Sequence, residues 1–130
     1  MAPRSLSVRI VGADYPNSDK SNRRFELMLC EPGDLLELRP EPKNPADENA
    51  IAVFSVRGIQ IGYIASDRAA WLTACMHRGS QLAAAFQARA PWGAVARIGI
   101  DGDSLDLPPD DIEPPPEDDW EHRHFIPPDD

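Results

Sequence analysis

Asn44, Asp47 and Asn49 lie within six residues of one another, directly before an apolar run, in the stretch NPADENAIAVF (residues 44–54). Asn and Asp side chains favour such a position because they hydrogen-bond to backbone groups two residues further on and so close a turn. Polar groups crowded at the mouth of a strand could equally hold a ligand. The residues by themselves leave both interpretations open.

Motifs for catalysis or metal binding are missing from the sequence. It has no GxxxxGK[ST], HExxH, GxSxG or paired CxxC. Cys75 and His77 stand two residues apart on a predicted helix, where they point to different sides, and His122 and His124 lie near the C-terminus. We therefore expect packed thiols at Cys30 and Cys75, no metal site, no cofactor and no enzymatic activity.

Charge divides the chain into two parts. Residues 1–100 hold 12 Lys and Arg against 10 Asp and Glu, whereas residues 101–130 hold 1 against 12, together with seven of the 14 prolines. Dense like charge combined with proline favours an extended chain that cannot fold alone. We predict one domain over residues 1–102, which is long enough for a core, and an acidic tail over residues 103–130.

Composition also bears on where the protein works. No apolar run is long enough to span a membrane, and the N-terminus lacks the apolar stretch of a signal peptide. Two cysteines without a CxxC spacing indicate a reducing compartment. We expect a cytoplasmic protein, and the excess of Arg over Lys fits a bacterial source.

Alternation of apolar and polar residues dominates the first 100 positions. A helix is predicted from a cap at Ser66 or Asp67 to the stop at Gly79, with Trp71, Leu72, Cys75 and Met76 on one face. The Ala-rich residues 82–88 could also be helical. Short strands are predicted at residues 7–11, 24–30, 36–39, 50–56, 59–64, 81–89 and 95–100. This content favours a small curved sheet or an open barrel.

The order and spacing of several motifs resemble a HIRAN domain. They are GDLLELRPEP (33–42), NPADENAIAV (44–53), Gly58 and IGYI (61–64) before the helix, within a likeness that covers roughly residues 6–90. The resemblance implies a mainly β fold, a modified OB-like or SH3-like small β-barrel with one or two helices. It also implies a non-catalytic module that binds single-stranded DNA or a DNA 3′ end in repair or replication.

The resemblance also implies a binding site. Asn44 and Asp47 match loop residues that hydrogen-bond the terminal nucleotide, where a carboxylate accepts from a free 3′-hydroxyl and repels a phosphate. Tyr15 matches a tyrosine that stacks on a base, a contact worth about 1–3 kcal/mol. Tyr63 lies where family members often place an aromatic or His near the pocket. Lys43 is a candidate cation beside them, and ordinary packing is the alternative for each ring.

Departures from the family pattern put tight binding in doubt. Ala46 stands where a second stacking tyrosine is found, Asp14 replaces a basic residue, and Ser66 lies near the position of a phosphate-contacting lysine. Trp92 is a further candidate ring on a turn. Replacement cations could come from Arg23, Arg24, Arg39, Lys43 and Arg68.

The acidic tail suggests a second class of function. It could screen a basic binding surface on the domain, keep the protein soluble, or contact a partner protein through the apolar residues of 120–126. The alternative to DNA binding is accordingly a protein-interaction adaptor that has lost the DNA grip and uses its tail.

Overall fold

A computed structural model describes residues 5–103 and 105–107. Along the chain it contains β1 (Ser5–Val11), α1 (Arg23–Leu29), β2 (Leu35–Pro40), β3 (Ile51–Phe54), β4 (Gln60–Ile64), α2 (Ser66–His77), β5 (Leu82–Ala90) and β6 (Gly93–Ile100). The predicted acidic tail and the histidines near the C-terminus fall outside the described residues, apart from residues 103 and 105–107.

The strands form a closed antiparallel barrel in the order β1-β4-β3-β2-β5-β6, with β1 paired to β6. Closure leaves no unpaired sheet edge. Long pairing between β5 and β6, from Leu82–Ile100 to Ala90–Gly93, makes the largest hairpin. The predicted small barrel of mainly β class is therefore confirmed, but the barrel is closed rather than open.

The barrel interior holds the main core. Ile10, Ile51, Val53, Phe86 and Ile98 are all almost fully buried there. In β3 the core residues Ile51 and Val53 alternate with Ala52, which packs on the opposite side of the sheet, as the two-residue period of a strand requires. The two sides of β3 thus belong to different clusters.

Helix α1 corrects a sequence prediction, because residues 24–30 were expected to form a strand. Arg23, Glu26, Leu27 and Cys30 are buried, a spacing of three and four that matches a helix. Asn22 caps the N-terminus, its Oδ1 accepting from the Phe25 N–H at 2.9 Å. Of the alternating apolar residues that suggested a strand, the helix buries Leu27 and leaves Phe25 and Leu29 exposed.

Helix α2 was predicted at the correct position, but the prediction of Ser66 or Asp67 as its N-cap was wrong. The N-cap residue is Ala65, which makes no side-chain hydrogen bond, and Ser66 is the first residue of the helix. Leu72 and Cys75 are fully buried, whereas Trp71 is 44% exposed and so does not share their face. Residues 82–88 lie in β5 rather than in a helix.

Other features of the described residues concern the thiols and the membrane. Cys30 and Cys75 are both free and buried, as expected. Burial raises the pKa of the Cys30 thiol to about 11, with the nearby Glu26 carboxylate adding to the effect. In the part of the chain that the structure describes, no helix is long and apolar enough to cross a membrane.

Candidate nucleic-acid interface

A row of neighbouring residues runs across three strands on the outer side of the barrel. Val11 of β1 pairs with Tyr63 of β4, and Tyr63 pairs with Ala52 of β3. With Ala50 and Ala65 they form a small apolar cluster separate from the main core, which we call the outer cluster. All five residues are buried, and the rings of Tyr15 and Phe54 pack against them.

Gly62 allows the strands under the outer cluster to approach closely. Its φ is +156°, and a Cβ at this position would collide with the Val11 carbonyl oxygen and lie 2.8 Å from Cγ2 of Ile10. The glycine of the IGYI motif is therefore required by the contact between β1 and β4. That contact holds Tyr63 beside Val11.

Tyr63 joins the outer cluster to the loop between β2 and β3. Its hydroxyl donates to Glu41 Oε1 at 2.8 Å, and the same oxygen accepts from Asn44 Nδ2 at 3.0 Å. The ring is 1% exposed, and this burial raises the pKa of the phenol. A ring so enclosed offers no face to a base, so Tyr63 is placed to position the loop rather than to stack.

The loop itself is ordered by the turn chemistry of its polar residues. Asn44 Oδ1 accepts from the Ala46 N–H at 2.9 Å, and Asp47 Oδ1 accepts from the Asn49 N–H at 2.8 Å. Asn44 is 9% exposed, and both ends of its amide hydrogen-bond within the loop, Nδ2 to Glu41 and Oδ1 to Ala46. The turn-forming interpretation is thus seen directly.

The remaining polar atoms of the loop face outward. Asp47 is only half-buried, and its Oδ2 has no hydrogen bond to any residue in the described part of the chain. Lys43, on the same loop, is exposed. The Asp47 carboxylate oxygen and the Lys43 ammonium group are therefore both open to a ligand. Asn44, by contrast, hydrogen-bonds within the loop and stabilises it.

A cleft of about 330 Å³ opens between the end of β1 and the start of α1. Tyr15, Lys20, Arg23 and Arg24 line it, together with Asp14. Tyr15 is half-buried: it packs on the outer cluster and also contributes to the cleft wall. Helix α1 thus supplies two of the arginines whose location the sequence left open.

Arg23 is held rigidly at the base of the cleft. It is 3% exposed, its Nε donates to Asn17 Oδ1 at 2.6 Å, and its Nη1 donates to the Gly12 carbonyl at 2.9 Å. Its guanidinium lies 5.6 Å from the centroid of the Tyr63 ring, within the range of a cation–π contact. Positive charge is therefore fixed next to the outer cluster.

Arg24 lies at the rim of the cleft and connects it to the β5–β6 turn. Its Nε donates to Asp14 Oδ1 at 2.7 Å and its Nη1 to the Pro91 carbonyl at 2.8 Å. Trp92, the next residue in that turn, is half-buried. Asp14 is therefore partly neutralised by the helix.

Sequence reasoning missed two supports of this site. Glu41 accepts from both Tyr63 and Asn44, and Asn17 holds Arg23. Their signals were weak, because Glu41 also depends on Tyr63, 22 residues away, and Asn17 lies in the irregular segment between β1 and α1. Of the proposed replacement cations, Arg23 and Arg24 line the cleft with Tyr15; the other three do not.

Most of the sequence matches one known protein family. The HIRAN domain family matches residues 3–93 of the chain. The chain belongs to the HIRAN domain family. A search of curated proteins gave no significant match.

Two solved structures resemble this HIRAN domain in fold. The crystal structure of the HIRAN domain of human HLTF is 24% identical, with a TM-score of 0.56, covering 74% of this chain and 72% of that one. A crystal structure of a protein from Lactobacillus plantarum is 22% identical, with a TM-score of 0.64, covering 77% of this chain and 97% of that one. Both similarities establish the shared fold.

Proposed function

We propose that this HIRAN domain is a non-catalytic module that binds single-stranded DNA or a DNA 3′ end in the cleft between β1 and α1. The observation that carries the proposal is the position of Tyr15, whose ring meets the outer cluster and lines the same cleft as Lys20 and Arg24. An aromatic ring beside cations is the combination that single-stranded nucleic acids require. Membership of the HIRAN family supports the same ligand class.

Asp47 is proposed to read the end of the strand. One of its oxygens is committed to the Asn49 N–H, which fixes the direction of the carboxylate. The other oxygen would accept from a free 3′-hydroxyl and would repel a 3′-phosphate. Lys43 on the same loop would contact a backbone phosphate. Selectivity for a free end would then arise from Asp47, and general affinity from the ring and the cations.

The test uses fluorescence anisotropy with two labelled single strands of equal length, one ending in a 3′-hydroxyl and the other in a 3′-phosphate. We expect wild type to prefer the hydroxyl, and Asp47→Asn to lose that preference. Asparagine is the informative substitution because its amide oxygen can still accept from the Asn49 N–H and keep the turn. Asp47→Ala, which removes the turn as well, is the comparison.

Glu48→Gln is the matched control, because it removes one negative charge from an exposed neighbour on the same loop. It should leave the hydroxyl preference intact. An equal preference in wild type and Asp47→Asn would refute the role of Asp47. Absence of binding to either strand at low salt would refute the proposed function as a whole.

A protein-interaction adaptor is the second candidate, and one feature of α1 favours it. Phe25 is 58%, Met28 69% and Leu29 45% exposed, at positions that share one side of the helix. An exposed apolar group of this kind is typical of protein contacts. Affinity for a partner protein that is insensitive to salt and lost on Met28→Ser would support this candidate. Affinity for a nucleic acid would instead fall steeply as salt rises, because it depends on phosphate contacts.

A further inference from the structure

The row of paired residues on the outer side of the barrel continues past the outer cluster. Ala52 of β3, which pairs with Tyr63, pairs on its other side with Arg39 of β2. Two strand spacings of 4.7–4.9 Å therefore separate Tyr63 from Arg39, a distance of about 10 Å. The row thus extends from β1, beside the cleft, over β4 and β3 to β2, and its members Val11, Tyr63 and Ala52 are buried.

Arg39 lies flat on an aromatic ring at this end of the row. Its Cζ is 3.8 Å from the centroid of the Phe54 ring. Phe54 also packs against the outer cluster, as Tyr15 does. The two rings thus pack on the same buried cluster, Tyr15 at the cleft and Phe54 under the guanidinium.

Glu37 holds the Arg39 guanidinium through two hydrogen bonds along one edge of its plane. Arg39 Nε donates to Glu37 Oε2 at 2.8 Å and Nη2 donates to Oε1 at 3.0 Å, a bidentate pair. The side chains of Arg39 and Glu37 are 48% and 57% exposed. One face of the guanidinium is therefore covered by Phe54, its edge is taken by Glu37, and the other face is open.

We propose that the open face of Arg39 is a second base-stacking platform, which takes a nucleobase further along the strand whose end lies at the cleft. The inference rests on the proposed function. Bases stack on arginine planes as they do on aromatic rings, and a plane held between ring and carboxylate has little freedom left to lose. The Glu37 carboxylate opposes a phosphate here, so the platform selects the face of a base.

Oligonucleotide length tests the inference separately from the proposed function. Binding of thymidine dinucleotide and octanucleotide, each with a free 3′-hydroxyl, is measured by fluorescence anisotropy or calorimetry. Arg39→Ala should weaken octanucleotide binding by roughly 5- to 150-fold and leave dinucleotide binding unchanged. Tyr15→Ala should weaken both. If wild type binds neither, the proposed function fails and the platform fails with it.

Two further variants separate stacking from charge. Arg39→Lys keeps the positive charge but lacks the plane, and should behave like Arg39→Ala. Arg68→Ala, at an exposed position on α2, removes one positive charge elsewhere and should bind like wild type. An octanucleotide affinity of Arg39→Lys equal to wild type, or an equal loss for both lengths in Arg39→Ala, would overturn the platform.

Discussion

Helix α2 buries Ala69, Leu72 and Cys75. Helix α1 instead buries Arg23 and Glu26 beside Leu27, and exposes its other three large apolar side chains. The first helix along the chain thus holds charged groups against the barrel, and the second packs apolar ones. A buried charge requires hydrogen-bond partners, and those partners tie α1 to particular places. The difference indicates that α2 stabilises the barrel, while α1 arranges the surface around the cleft.

The buried charges of α1 reach two different parts of the barrel. Arg23 binds Asn17 and the Gly12 carbonyl at the end of β1. Glu26 Oε2 accepts from the Ser55 hydroxyl at 2.7 Å, and Arg57 Nε lies 3.3 Å from the same oxygen, in the turn after β3. Arg89 of β5 donates to the Cys30 carbonyl at 2.7 Å, beyond the C-terminus of α1. The helix is therefore held at both ends by polar contacts.

The largest expected effect on stability lies in α2. Leu72→Ala should lower the free energy of unfolding by about 2–5 kcal/mol, because a fully buried leucine leaves a cavity. Urea denaturation measures the loss, and Arg68→Ala, on the exposed side of the same helix, should change stability by no more than about 0.5 kcal/mol. A loss below about 1 kcal/mol for Leu72→Ala would contradict the role assigned to α2.

The next largest effect concerns the buried carboxylate of α1. Glu26→Ala should cost about 1–3 kcal/mol, since it leaves the Ser55 hydroxyl without its acceptor. Glu26→Gln keeps an acceptor oxygen and should cost less. Urea denaturation of both variants gives the comparison. Equal losses would show that the hydrogen bond from Ser55 is not what holds α1 at this point.

A pH effect follows from Cys30. Because burial raises the thiol pKa from 9.0 to about 11, the unfolded chain loses this proton at lower pH than the folded one. The protonated Cys30 thiol thereby contributes on the order of 2 kcal/mol to the free energy of unfolding. This contribution is complete below pH 9 and is lost between pH 9 and about 11. Stability of wild type should therefore fall more steeply over this range than that of Cys30→Ala. Parallel curves would disprove the effect.

The smallest expected effect is on the exposed side of α1. Phe25→Ala should change the free energy of unfolding by no more than about 0.5 kcal/mol, because the side chain is 58% exposed. Thermal or urea unfolding measures this. A loss close to that of Leu72→Ala would mean that the apolar side of α1 is packed in solution, and the contrast between the helices would not hold.

The two helices also show where sequence analysis succeeds. For α2, a glycine stop and apolar residues at helical spacing predicted the helix, as alternation predicted the strands. For α1, two of the buried positions are charged, so the pattern of burial could not be recognised without the partners Asn17 and Ser55. Tyr63 and Asn44 were identified from family motifs, but their burial depends on Glu41, which no local pattern reveals.

Whether the cleft between β1 and α1 is the binding site is tested by the binding of wild type and Tyr15→Ala to single-stranded DNA, measured by anisotropy at several salt concentrations. We expect Tyr15→Ala to lose affinity roughly 5- to 150-fold, with an unchanged salt dependence. Arg24→Gln should instead reduce the slope of log affinity against log salt concentration by about one, the amount expected for one lost phosphate contact. If Tyr15→Ala binds as tightly as wild type, the cleft between β1 and α1 is not the binding site.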